Sequence, residues 1–319
     1  MTDRTSSKEF YDLADQYMNE KRYDEAIELY KKLIELNPGD DSLVFSLAWA
    51  YKDGGKRTEA ITCFEQLFEK ELKRKVFTGF AFDEMIRIFR EEGNYEKVVE
   101  LCEKAVTAQP ADPSLLTTLG SSCISAGRVE RAIEVFELLT RMEPDSPTLF
   151  CLLGDAYVAA GNLDRADEVY EKAINIEPTE AHTFYNKLGN AYEQAGYYER
   201  AENALRNAIV HQPDRSLYHS ILGDILVKQG KLDEAQQAYE HAIELDPKFE
   251  AAYYNRLAHT LVQENHRLRA IEMYEKAINA DPKNLYCYKS LIDLCTSEGL
   301  DEKAREIYEK AKSLNLIPS

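Results

Sequence analysis

Between residues 153 and 178 the chain reads LGDAYVAAGNLDRADEVYEKAINIEP, and between 222 and 247 it reads LGDILVKQGKLDEAQQAYEHAIELDP. In both stretches apolar residues recur three and four positions apart, the mark of a helix with one buried face. A glycine break, Gly161-Asn162 or Gly230-Lys231, splits each stretch into two helical halves. Glycine tolerates the left-handed backbone that ends a helix. Asp164 and Asp233 follow the break, where a carboxylate meets the positive end of the next helix dipole. Each stretch closes on a proline, which stops the second helix and turns the chain. The pattern predicts pairs of antiparallel helices.

The pairs repeat. Pro110, Pro144, Pro178, Pro213, Pro247 and Pro282 lie 34, 34, 35, 34 and 35 residues apart, and Pro38 lies 72 residues before Pro110, about two periods. Such a period is the sequence signature of a stacked repeat protein. On these residues the chain resembles the tetratricopeptide repeat (TPR) family, whose 34-residue unit is a helix–turn–helix with small residues at positions 8 and 20 and proline at 32. Nine units fit, at 7–40, 41–74, 79–112, 113–146, 147–180, 182–215, 216–249, 251–284 and 285–318. Position 20 is Ala26, Ala60, Val98, Ala132, Ala166, Ala201, Ala235, Ala270 and Ala304, and position 24 is mostly aromatic. Small residues at 8 and 20 let the paired helices approach, and the large ones fill the remaining space.

The resemblance implies an all-α fold, a right-handed superhelical solenoid of antiparallel helix pairs, without a domain boundary in the usual sense. Residues 1–6 are expected to be a disordered N-terminus. Four extra residues, Lys75–Thr78, separate units 2 and 3. They read as a lengthened second helix or as a hinge, the best place for a flex point. Only Ser319 follows the last unit, so that unit is expected to act as its own cap or to bury its apolar face on another chain.

Composition narrows the function. A net charge of −18 argues against a nucleic-acid partner or an anionic membrane surface, both of which need a basic face. No run of 18 apolar residues predicts a membrane span, and the opening MTDRTSSKEF lacks the apolar core of a secretory signal. Six scattered cysteines without a CxxC pair read as reduced thiols of a cytoplasmic protein. Six histidines lack metal-ligand spacing, and no glycine-rich phosphate loop is present, so no cofactor, metal or enzymatic activity is expected. The composition and the resemblance together point to a non-catalytic scaffold that binds a protein or peptide. A self-assembling homo-oligomer is the alternative, and the uncapped last unit is its motive.

By resemblance, positions 2, 5, 9 and 12 of each unit face the concave groove. The single tryptophan, Trp49, stands at position 9, with Tyr11 and Phe45 at position 5 and Phe80 at position 2. Lys52, Arg87 and Arg90 share that face. Aromatics with arginine are the composition of interface hot spots, and they read as a pocket for an apolar anchor on an acidic peptide. Trp49 could instead pack against neighbouring helices or be covered by residues 1–6. Later units place Asp155, Asn186, Asn190, Asp224 and Asn255 in the groove. Amides can grip an extended backbone, and the carboxylates would favour Lys or Arg in a ligand. The clamp by which chaperone adaptors of this family hold a C-terminal carboxylate is missing from units 1–3, which offer Tyr11, Asp15, Ser46, Phe80 and Glu84 in its place.

Overall fold

The computed structural model describes residues 2–74 and 79–317, with side chains from residue 7 onward. The chain divides into two compact units, Met1–Met142 and Glu143–Ser319. The division falls at the loop Glu143-Pro144-Asp145-Ser146, between the fourth and fifth repeats. The sequence predicts no boundary there, and nothing in those four residues sets the loop apart from other inter-repeat loops. The insertion Lys75–Thr78, expected to flex, lies outside the described residues.

The N-terminal unit holds α1 (Thr2–Asn19), α2 (Tyr23–Leu36), α3 (Asp41–Asp53), α4 (Arg57–Arg74), α5 (Phe80–Glu91), α6 (Tyr95–Ala108), α7 (Pro113–Ser125) and α8 (Val129–Met142). The C-terminal unit holds α9 (Pro147–Ala159), α10 (Leu163–Ile176), α11 (Ala181–Gln194), α12 (Tyr198–His211), α13 (Ser216–Lys228), α14 (Leu232–Leu245), α15 (Glu250–Gln263), α16 (Arg267–Ala280), α17 (Leu285–Ser297) and α18 (Asp301–Ser313). Among the described residues these are all of the α-helices, joined by short turns and two 3-10 segments, without a strand. The fold is an all-α helical-repeat solenoid. Helix α1 starts at Thr2. Helix α4 has 18 residues against 14 in α2.

Local chemistry explains the pairing. Gly161 takes φ +75°, and Asn162 N–H then donates to Tyr157 C=O at 2.9 Å, which satisfies a carbonyl that the helix end would orphan. Where glycine is missing at this turn, Asn265 adopts φ +65°, a conformation asparagine tolerates better than most residues. Asp112 caps α7 by accepting from Ser114 N–H at 2.8 Å and Leu115 N–H at 3.1 Å, with Pro113 at the first helical position.

The core runs between the paired helices. Ala26, Ala60, Val98, Ala132, Ala166, Ala201, Ala235 and Ala270 are fully buried. Position 8 is tight for a definite reason. A Cβ on Gly120 would lie 2.6 Å from the Phe136 ring, and Gly154 and Gly223 stand in the same relation to Tyr170 and Tyr239. Glycine on the first helix makes room for the aromatic on the second. All six cysteines are buried and unpaired.

Candidate binding surface

In the N-terminal unit, Phe45 and Trp49 lie one turn apart on α3. The Phe45 ring meets Trp49 edge-on at 6.3 Å, Phe64 of α4 at 5.8 Å and Phe80 of α5 at 6.1 Å. Three helices thus bring these rings together around Phe45. Trp49 and Phe45 are half-buried, whereas Phe80 is 66 % exposed. Beside Phe80 opens a cavity of about 390 Å³ lined by Phe45, Leu67, Phe80 and Ala81. Its polar rim includes Asp41 and Arg74. Asp41 accepts from Lys70 at 2.8 Å and Arg74 at 2.7 Å, and these bonds hold its carboxyl below the usual range.

Of the three cations predicted for this face, Lys52 and Arg87 meet the Trp49 ring, and both are engaged. Lys52 Nζ sits 3.8 Å above the Trp49 ring centroid, and the Arg87 guanidinium lies 5.7 Å from it. This is cation–π geometry. Both cations also bond the carboxylate of Glu84, Lys52 at 3.0 Å. Burial pushes the Glu84 carboxyl up, and the charges of Glu91 and Asp53 add to that. Arg90 is exposed on α5. Tyr11 packs edge-on against Tyr30 at 6.3 Å, so its ring contact is within the first repeat. The structure therefore gathers Phe45, Trp49, Phe80, Lys52 and Arg87 into one cluster.

The residues predicted for the later groove behave differently. Asp155 accepts from Tyr170 Oη at 2.5 Å, and burial pushes its carboxyl up. Asp224 is buried and accepts from the Tyr239 hydroxyl, from Thr260 Oγ1 at 2.7 Å and from Arg256 Nε at 2.8 Å. These carboxylates were expected to await a cation from a ligand, and the chain's own donors already hold them. Asn186 and Asn190 are half-buried, and Asn186 Oδ1 is enclosed without a hydrogen-bond partner. Asn255 Oδ1 accepts from Cys287 Sγ at 3.5 Å.

Two features escaped the sequence reading. One is Glu84, the common partner of Lys52 and Arg87. The other is the recurrent bond between Asp at position 9 and Tyr at position 24 of one repeat, seen in Asp15–Tyr30, Asp155–Tyr170 and Asp224–Tyr239. Its signal was available as a shared spacing of 15 residues.

The family model of the cilia and flagella-associated protein 70 C-terminal domain, a TPR domain, matches residues 111–315. The chain belongs to this tetratricopeptide-repeat family. Two general TPR models match residues 7–40 and 41–71 at the other end. As a TPR protein it is a protein-interaction scaffold, on a fold that is typically non-catalytic. No helix among the described residues is long and apolar enough to cross a membrane. No curated protein matches the chain. Among solved structures it is similar to TTC0263, a thermophilic TPR protein of Thermus thermophilus, at 27 % identity over 56 % of this chain and 96 % of that one, with a TM-score of 0.39. It is similar to YrrB, a TPR protein described as having an unusual peptide-binding site, at 22 % identity over 60 % and 98 %, with a TM-score of 0.36. MamA from Desulfovibrio magneticus RS-1 shares 21 % identity over 52 % and 93 %, with a TM-score of 0.39.

Proposed function

We propose that this TPR protein binds a peptide segment of a protein partner on the face formed by α3 and α5, with an apolar side chain of the partner beside Phe80. The observation that carries the reading is Phe80 itself. An aromatic ring that is 66 % exposed borders an apolar cavity of about 390 Å³ and packs on the half-buried ring of Phe45. Exposed apolar surface next to a preformed pocket mostly costs free energy until something covers it. Lys52 and Arg87 lie against Trp49 on this face, and once freed from Glu84 they favour an acidic partner segment. The C-terminal groove supports binding less, because Asp155 and Asp224 are already satisfied.

Selection of peptides from a random displayed library tests this. The wild type is expected to enrich sequences with a large apolar residue next to acidic ones, and Phe80→Ala is expected to lose them. Phe80 is exposed, so the variant keeps its fold. Equal enrichment by both proteins would remove Phe80 from the binding site.

A further inference from the structure

Lys52 and Arg87 meet on one carboxylate. Lys52 comes from α3 and Glu84 and Arg87 from α5, so the cluster joins two repeats. The Lys52 and Glu84 side chains are only 15 % and 17 % exposed, while Arg87 is 47 % exposed. Both cations lie against the Trp49 ring. The arrangement shows what this spot accepts: a side-chain carboxylate between an ammonium and a guanidinium, at the edge of an indole. Glu84 is half-buried beside the two cations, and its carboxyl also feels Glu91 and Asp53. Burial and the neighbouring acids offset part of the hold that the two cations have on this carboxylate.

We propose that Glu84 is an internal occupant of the partner's acidic subsite: a glutamate or aspartate of the bound segment displaces it from Lys52 and Arg87 while the neighbouring apolar side chain fills the cavity beside Phe80. This rests on the binding reading above and adds two things to it. It places the acidic residue of the partner next to Trp49, and it makes the chain's own carboxylate a competitor. Binding of an acidic segment is then weaker than it would be at vacant cations, because its carboxylate must first displace Glu84. Removing that competitor raises affinity for acidic segments and leaves neutral ones unchanged, since only a carboxylate needs the vacated position.

The test uses the full chain and two synthetic peptides: one phenylalanine followed by a run of glutamates, and a twin with glutamine in place of each glutamate. Binding is read by calorimetry and by the emission of Trp49, the only tryptophan. Glu84→Gln is expected to bind the acidic peptide about tenfold more tightly than wild type, equivalent to about 1.4 kcal/mol, and to bind the twin as wild type does. Arg87→Gln, at a half-exposed position, is expected to lose the preference for the acidic peptide. It serves as the second reading if circular dichroism shows Glu84→Gln unfolded. Wild-type binding of the acidic peptide that Glu84→Gln does not tighten, or an acidic preference that survives Arg87→Gln, overturns the role of Glu84 and leaves the Phe80 surface standing. Failure of every protein to bind either peptide, or binding that Phe80→Ala leaves intact, overturns the surface and this inference together.

Discussion

Tyr170 donates its hydroxyl proton to Asp155 at 2.5 Å, across the two helices of one repeat. The ring fills the space left by Gly154, and its hydroxyl satisfies a carboxylate that burial would otherwise leave costly. One residue therefore supplies both the packing and the polar closure of the helix pair. Removing the hydroxyl leaves Asp155 without its donor. Tyr170→Phe is expected to cost about 1–3 kcal/mol, read as a lower urea midpoint at unchanged slope. Tyr308→Phe, at a 37 % exposed position, is expected to stay within about 0.5 kcal/mol. A loss for Tyr170→Phe no larger than for Tyr308→Phe would contradict the account of the buried bond.

Gly120 gives the packing half of the argument by itself. Its missing Cβ is the space that the Phe136 ring occupies, at 2.6 Å from where that atom would be. A helix interior normally gains from Gly→Ala. Here overpacking wins, and Gly120→Ala is expected to destabilise by about 1–3 kcal/mol. Thermal unfolding with circular dichroism gives the sign. Stabilisation would show that the ring moves aside at little cost.

These contacts also mark what was legible in the chain. The glycine at position 8 and the aromatic at position 24 repeat in register, so the helix pairs and their core could be read directly. Asp155 and Asp224 could not be placed so well. Register puts position 9 on the first-helix face, and only the reach of a tyrosine 15 residues later turns the carboxylate into an internal acceptor. Glu84 was hidden for a similar reason. A charged residue on an amphipathic helix reads as solvated, and its partner Lys52 comes from the preceding repeat, 32 residues earlier. The Phe45–Trp49–Phe80 cluster was legible as a shared face, but which of its rings stays open to solvent was set by tertiary packing. The division after Met142 left no trace in the loop residues.

His219 carries a pH dependence with a definite sign. It is buried on α13, its Nε2 donates to Pro213 C=O at 2.8 Å, and its ring meets His241 at 4.5 Å. Burial pushes its pKa down against the opposing hydrogen bond to Pro213, and the charge of His241 adds to the effect of burial. The unfolded chain takes up this proton near pH ~6.5, while the folded one resists. Stability from this residue is therefore full above about pH 6.5 and falls as pH drops from there toward the folded value. An NMR titration of the imidazole, assigned with His219→Gln, is expected to show a midpoint below about 6.5. A midpoint at or above that value would contradict the burial argument.

Phe80→Ala separates stability from binding. The ring is mostly exposed, so truncation is expected to move unfolding free energy by no more than about 0.5 kcal/mol. The same change is expected to weaken peptide binding by about 2 kcal/mol or more, as for an interface hot spot. Denaturant unfolding and calorimetry on one preparation compare the two. A loss of stability as large as the loss of binding would make Phe80 a packing residue.

The location of the bound segment tests the account most directly. Amide hydrogen exchange, with and without a peptide selected on the wild-type protein, maps protection onto the helices. The account predicts added protection on α3 and α5, centred on Trp49 and Phe80. Protection confined to α11, α13 and α15 would place the partner among Asn186, Asn190 and Asn255 instead, and would contradict the assignment of binding to the aromatic face.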